Sequence, residues 1–297
     1  MSSTLQSDLL PPSLMARLER LELVSRKIFR GRMKGERRSP RRGQSVEFAD
    51  FRNYVAGDDL RFIDWNTYAR LDRLFLKLFL EEEDLHFYAL LDASASMTFG
   101  DPSKLQYAKQ LAAALGFVGL TRSDRVKIET IGQPAHHPSP VLRGRRSMWR
   151  LLERIDGIAG NETATLDQGV RNFCLRNSGR GICVFISDLL DKNGYESALR
   201  RLVAQRMDVF VIHLMSKEEL DPTLTGDLQL VDSEDDDVAE VTISAPLLKR
   251  YHETLNAFVG SAREFCNRRG VSYMLVNNEV PVEQLITEYL VKRGLVR

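Results

Sequence analysis

Leu85-His86-Phe87-Tyr88-Ala89-Leu90-Leu91-Asp92-Ala93-Ser94-Ala95-Ser96-Met97 is the most informative stretch of the chain. Residues 85–91 form a largely apolar run with the length and aromatic content of a buried strand. The run ends abruptly in Asp92, Ser94 and Ser96, three hard-oxygen side chains spaced two apart. A parallel α/β sheet places its ligands at the carboxyl ends of its strands, and Mg²⁺ takes carboxylate, hydroxyl and water oxygens over nitrogen or sulfur. A strand running into a polar turn, with Asp and Ser satisfying local backbone groups, reads the same way in isolation. A second carboxylate and a further hydroxyl, each just after a strand, would separate the two readings.

Downstream, Gly181-Ile182-Cys183-Val184-Phe185-Ile186-Ser187-Asp188 supplies the carboxylate, again at the end of an apolar strand. Between the two strands lies a polar loop, residues 160–165, with Thr163 and Thr165. Thr165 and Gln168 have the spacing of a capping box, which gives Thr165 a structural task and leaves Thr163 freer. The apolar spacing predicts helices over 103–120, through Trp149 to Ile155, and over 166–175, 195–205, 246–269 and 281–292, with strands over 126–131, 207–215 and 271–276. Residues 227–231 and 238–243 interrupt the alternation as a hairpin around an acidic tip, which lacks the spacing and glycine of a calcium loop. Adjacent His136 and His137 are expected on a loop surface. Strand–helix alternation from residue 85 onward implies a mostly parallel, doubly wound sheet with helices on both faces.

The sequence has 297 residues, 43% of them hydrophobic, enough for a substantial core. Its 42 basic and 41 acidic residues leave a net charge of +1, so no global field attracts nucleic acid or an anionic membrane. Three scattered cysteines, Cys174, Cys183 and Cys266, suit reduced thiols rather than a zinc site. The amino terminus lacks a secretory layout and no apolar run approaches the ~20 residues of a membrane span, so a soluble cytoplasmic protein is expected.

Upstream, residues 12–30 have roughly helical periodicity, and residues 26–42 turn strongly basic without interleaved aromatics, as in a solvated segment. Residues 43–84 form a small β-containing module dense in aromatics and charges, in which Arg52, Arg61, Asp64 and Arg70 are expected to pair around Trp65. The expected organisation is therefore a helix and basic segment over 1–42, a module over 43–84 packed on the main domain, and an α/β domain over 85–297 with a hairpin inserted near 227–243.

Asp-Ala-Ser-Ala-Ser at 92–96, the threonine loop at 163–165 and Ser-Asp at 187–188 resemble the metal-ion-dependent adhesion site of the von Willebrand factor A fold. More narrowly, Glu47-Phe48, Arg52-Asn53-Tyr54, Gly57-Asp58-Asp59, Arg61, Ile63-Asp64-Trp65 and Ala69-Arg70, just before that site, resemble the bacterial family labelled domain of unknown function fifty-eight. The resemblance spans about residues 43–215. It implies a von Willebrand factor A-like domain with Asp92, Ser94, Ser96, Thr163 and Asp188 around Mg²⁺ or Mn²⁺. It also implies a MoxR-type AAA+ ATPase as partner, in the assembly or maturation of client proteins. Two departures stand out. Ala164 occupies the position where the family pattern places threonine, so the site threonine is Thr163 or Thr165, and Thr163 is preferred. Leu189 follows Asp188 where many adhesion-type domains have glycine.

Three functions compete. The expected one is a non-enzymatic, metal-dependent protein-interaction module, with an open ion position completed by a partner's carboxylate and no small-molecule substrate. A Mg²⁺-dependent phosphoester hydrolase would use Asp92, but Ser94 stands where a second acid is needed. Nucleic-acid binding would use residues 26–42 and 143–146, against the near-zero net charge.

Overall fold

The structure, a computed structural model, describes residues 9–25, 47–80, 85–131, 139–160, 164–177, 181–205, 207–223, 226–231 and 238–297. The basic stretch 26–42, the acidic run 81–84, His136 and His137, Thr163 and the acidic tip 232–237 lie outside these residues. The chain divides into two units, residues 1–34 with 85–297, and residues 35–84.

In the larger unit, α1 (Pro12–Leu18) precedes the alternating part of the chain. Strand β3 (His86–Asp92) follows two strands of the smaller unit, β1 (Glu47–Asn53) and β2 (Phe75–Leu80), which flank α2 (Trp65–Leu71). Then come α3 (Lys104–Thr121), β4 (Arg125–Ile131), α4 (Met148–Asp156), α5 (Leu166–Arg176) and β5 (Gly181–Ser187). They are followed by α6 (Glu196–Ala204), β6 (Met207–Met215), the short α7 (Lys217–Leu220), and a hairpin of β7 (Gly226–Val231) and β8 (Val238–Ile243). The long α8 (Ala245–Arg268), β9 (Ser272–Asn277) and α9 (Val282–Gln284) complete the order, α9 continuing through a π-helical turn, Leu285–Leu290, to Val291–Arg293.

The central sheet has five parallel strands in the order β4-β3-β5-β6-β9. Alternation along β3 explains its two-sided burial. Phe87, Ala89 and Leu91 enter a core with α1, α3 and the 282–295 segment, while Tyr88 and Leu90 enter a second core with α5, α6 and α8. Helices therefore cover both faces, as the alternation predicts. The outer edge of β4 is partly closed by an antiparallel bridge between Val126 and Leu142, whose backbone groups exchange two hydrogen bonds. Among the described residues no helix is long and apolar enough to cross a membrane.

Two local expectations need correction. The first helix ends at Leu18 instead of running to residue 30, because Glu22, Leu23 and Val24 extend to pair with Leu295, Val296 and Arg297. Among the described residues of the smaller unit, Arg52, Arg61 and Asp64 pair with the Gly57-Asp58-Asp59 turn and with a strand instead of with one another. Arg52 meets Asp58, Arg61 meets Asp59, and Asp64 caps α2 and meets Lys77. Trp65 is left 60% exposed.

Gly181 permits the close approach of β5 to β3, since a Cβ there would lie 2.3 Å from the His86 carbonyl oxygen. Gly181→Ala should destabilise the protein by about 1–3 kcal/mol, read as a lower urea midpoint at an unchanged slope. An unchanged midpoint would contradict this packing.

Candidate functional site

The strand order creates the site. From β3 the chain crosses to β4 on one side and later returns to β5 on the other, so the connections diverge between β3 and β5. In open α/β sheets that divergence leaves a crevice at the carboxyl ends of the two strands. Asp92 is the last residue of β3, and Asp188 follows the last residue of β5.

Both carboxylates are buried and already engaged. Asp92 accepts the Ser187 hydroxyl at 2.6 Å on Oδ2 and the Ser94 backbone N–H at 3.0 Å on Oδ1. Burial, with the charge of Asp188 as the second cause, raises the Asp92 pKa to about 6, against smaller opposing effects of Ser187 and Ser94. Asp188 accepts the Leu190 N–H at 3.1 Å and the Lys104 ammonium at 2.7 Å. Lys104 also donates to Glu219 at 2.5 Å, and the other Glu219 oxygen closes a capping box with Ser216 at the start of α7. Ser94 precedes a short 3₁₀ turn, Ala95–Thr98, which brings the Ser94 and Ser96 hydroxyls to 3.0 Å from each other.

Asp92, Ser94, Ser96 and Asp188 are thus brought together or placed on adjoining strand ends, whereas Thr163 lies outside the described residues. Thr165 caps α5, accepting the Gln168 N–H at 3.3 Å. Its loop is tied to the Asp188 loop by Asp191, which accepts the Leu166 N–H at 2.6 Å. The four placed residues offer hard oxygens of the kind Mg²⁺ and Mn²⁺ take, and a cation would relieve the repulsion between two buried carboxylates. Among the described residues no three His, Cys, Asp or Glu side chains group as metal ligands, so an ion here would depend on the hydroxyls and water as well.

Lys104, Glu219, Asp191 and His213 were not singled out by the sequence patterns. A lysine opening a helix whose second half, residues 111–120, is wholly apolar is the signal for Lys104, and the Ser216-x-x-Glu219 spacing is the signal for Glu219. His213, fully buried on β6 beside Ser187, bonds the Tyr273 hydroxyl at 2.7 Å. Burial lowers its pKa to about 4 although the charge of Asp188 opposes the shift, so the ring is neutral at pH 7. Leu189 gives physical content to the departure noted after Asp188. Its φ is +60°, a left-handed conformation that glycine adopts freely, and its side chain is buried.

The family model described as protein of unknown function DUF58 matches residues 50–258. Uncharacterized proteins of Mycobacterium tuberculosis and Mycobacterium bovis are each 28% identical over 254 residues, covering 82% of this chain and 78% of theirs. Among solved structures, conserved hypothetical protein BatB from Bacteroides thetaiotaomicron aligns at a TM-score of 0.42 and 16% identity, covering 70% of this chain and 98% of that one.

Asp92 holds its proton more tightly in the folded protein, at a pKa of about 6, than in the unfolded chain at about 3.9. Between those values the folded state carries the extra proton, so this group's contribution to stability falls as pH rises. The stability of Asp92→Asn relative to wild type should therefore climb from about pH 4 to about pH 6 by up to about 3 kcal/mol and stay flat above. Urea denaturation across pH 4–7 measures it, and a pH-independent difference would refute the burial of Asp92 beside Asp188. At position 189, Leu189→Gly should be at least as stable as Leu189→Ala. Both should fall about 2–5 kcal/mol below wild type, and a clearly more stable alanine variant would deny the left-handed backbone.

Proposed function

The chain belongs to the family of proteins of unknown function DUF58, and from that premise we propose that it is a non-enzymatic, metal-dependent protein-interaction module built on a von Willebrand factor A-like domain. In this reading Asp92, Ser94, Ser96 and Asp188, with Thr163 or Thr165, hold Mg²⁺ or Mn²⁺. The ion keeps an open position for a carboxylate of another protein. The partner is a MoxR-type AAA+ ATPase, with which the chain works in the cytoplasm on the assembly or maturation of client proteins.

One observation carries the reading. Two hydroxyls and two buried carboxylates cluster at the carboxyl ends of β3 and β5, where the chain's connections diverge. The hydroxyls bond each other, and both carboxylates accept backbone or side-chain donors. That arrangement supports holding a cation better than activating a nucleophile, which needs a base on the hydroxyl. The three free cysteines accord with a reducing compartment.

Capture of a purified MoxR-type ATPase by the immobilised chain tests the proposal, with Mg²⁺ and ATP and then with excess chelator. Wild type should retain the ATPase only with the divalent ion, and Asp92→Ala should lose it in both conditions. Equal retention with chelator and by Asp92→Ala would end the case for metal dependence.

A further inference from the structure

Lys104 is the first residue of α3, and its side chain is fully buried. A cation in a helix's first turn opposes the helix dipole, and burial strips it of water. Its position therefore depends on the two carboxylates it meets, Asp188 Oδ2 at 2.7 Å and Glu219 Oε1 at 2.5 Å. These belong to different parts of the sheet's carboxyl end, Asp188 following β5 and Glu219 lying in α7 beyond β6. Lys104 thus holds one oxygen of each, while the second oxygens are taken by the backbone N–H groups of Leu190 and Ser216.

Counting charges gives this bridge a role. Asp92, Asp188 and Glu219 ionised, together with the Lys104 ammonium, leave a formal charge of −2, the amount that one divalent cation cancels. Without Lys104 a divalent cation would leave a residual negative charge. With Lys104 seated on Asp188, an arriving ion meets a carboxylate that already has a cation.

We propose that Lys104 is an internal counter-ion that competes with a divalent cation for Asp188 and shifts its charge onto Glu219 when the cation binds, coupling the site to α7. The proposal rests on the reading of Asp92, Ser94, Ser96 and Asp188 as a cation site. Lys104 is accordingly a positioning residue that sets how tightly the site takes its ion. The hydrogen bond from the Tyr251 hydroxyl to the Glu219 carbonyl, 2.6 Å long, extends the coupling to α8.

Calorimetric titration of Mg²⁺ and Mn²⁺ into wild type, Lys104→Met and Glu219→Gln is the test, with each variant's fold checked by circular dichroism. Removing the ammonium should tighten binding by on the order of tenfold or more. Glu219→Gln, which leaves Lys104 to Asp188 alone, should weaken binding several-fold. A purely structural lysine predicts the reverse for Lys104→Met, a damaged site with weaker binding. Amide exchange over residues 216–220 should slow when wild type is saturated with Mg²⁺ and should not respond in Glu219→Gln. This second readout, with the calorimetry of Glu219→Gln, decides the matter if Lys104→Met does not fold. If wild type binds the ion but Lys104→Met binds it equally or more weakly, or exchange over 216–220 ignores the ion, the counter-ion role is overturned and the cation site survives. If neither ion binds wild type or any folded variant at millimolar concentration, both fall.

Discussion

Two acidic side chains at the ends of adjacent parallel strands impose a constraint that much of the larger unit answers. Parallel strands lie about 4.8 Å apart, so Asp92 and Asp188 share a crevice with little water to separate their charges. The fold responds differently to each. Asp188 receives an ammonium from α3, while Asp92 receives a hydroxyl and a backbone N–H and is left more basic than an ordinary carboxylate. That division explains why one helix carries a buried lysine at its start and why α7, a single turn, has a glutamate poised to hold the other side of it.

The same helix joins this chemistry to the packing. From Leu111 to Leu120 α3 carries no polar side chain and is buried throughout, against β3 and β4 on one side and α1 and α4 on the other. Gly116 and Gly119 let it approach closely, since a Cβ on either would meet Leu151 or Val126 within 3 Å. A helix clamped along its length presents Lys104 from a fixed platform. The position of the ammonium is thus set by hydrophobic contacts far from the charges, the usual way a fold supports a polar group it must bury.

The elements with strong periodicity were legible in the sequence, and the contacts that cross between them were not. β6 runs over the residues its apolar pattern marks, and β3, β5, α3 and α8 fall within a residue or two of theirs. Asp92 and Asp188 were legible for the same reason, each being the first acid after an apolar run. Lys104 was hidden because helical periodicity ranks a lysine as a solvent-facing residue, and only the crevice shows it pointing inward. The early end of α1 was hidden because residues 22–24 give up helix to pair with residues some 270 positions later, a bond no local pattern contains. The pairings of Arg52 and Arg61 were open to error in another way, since several acids lie within reach of each arginine and only backbone turns decide among them.

The long helix α8 has 24 residues, spanning about 36 Å, yet its buried residues, Val259, Ala262 and Cys266, all fall in the second half. It is a beam fixed at one end. The free half follows directly on the hairpin of β7 and β8, which has no buried residue among those described in β8. Unlike the clamped α3, a beam of this kind has no single stability. Its carboxyl-terminal turns open only when the second core does, whereas its first turns can fray at little cost. Two contacts along this half, from the Tyr251 hydroxyl to the carbonyl of Glu219 and from His252 to Asp221, lie about two turns in and both reach α7 or the residue that ends it, so the first turns of the beam are tied to α7 and not to the second core.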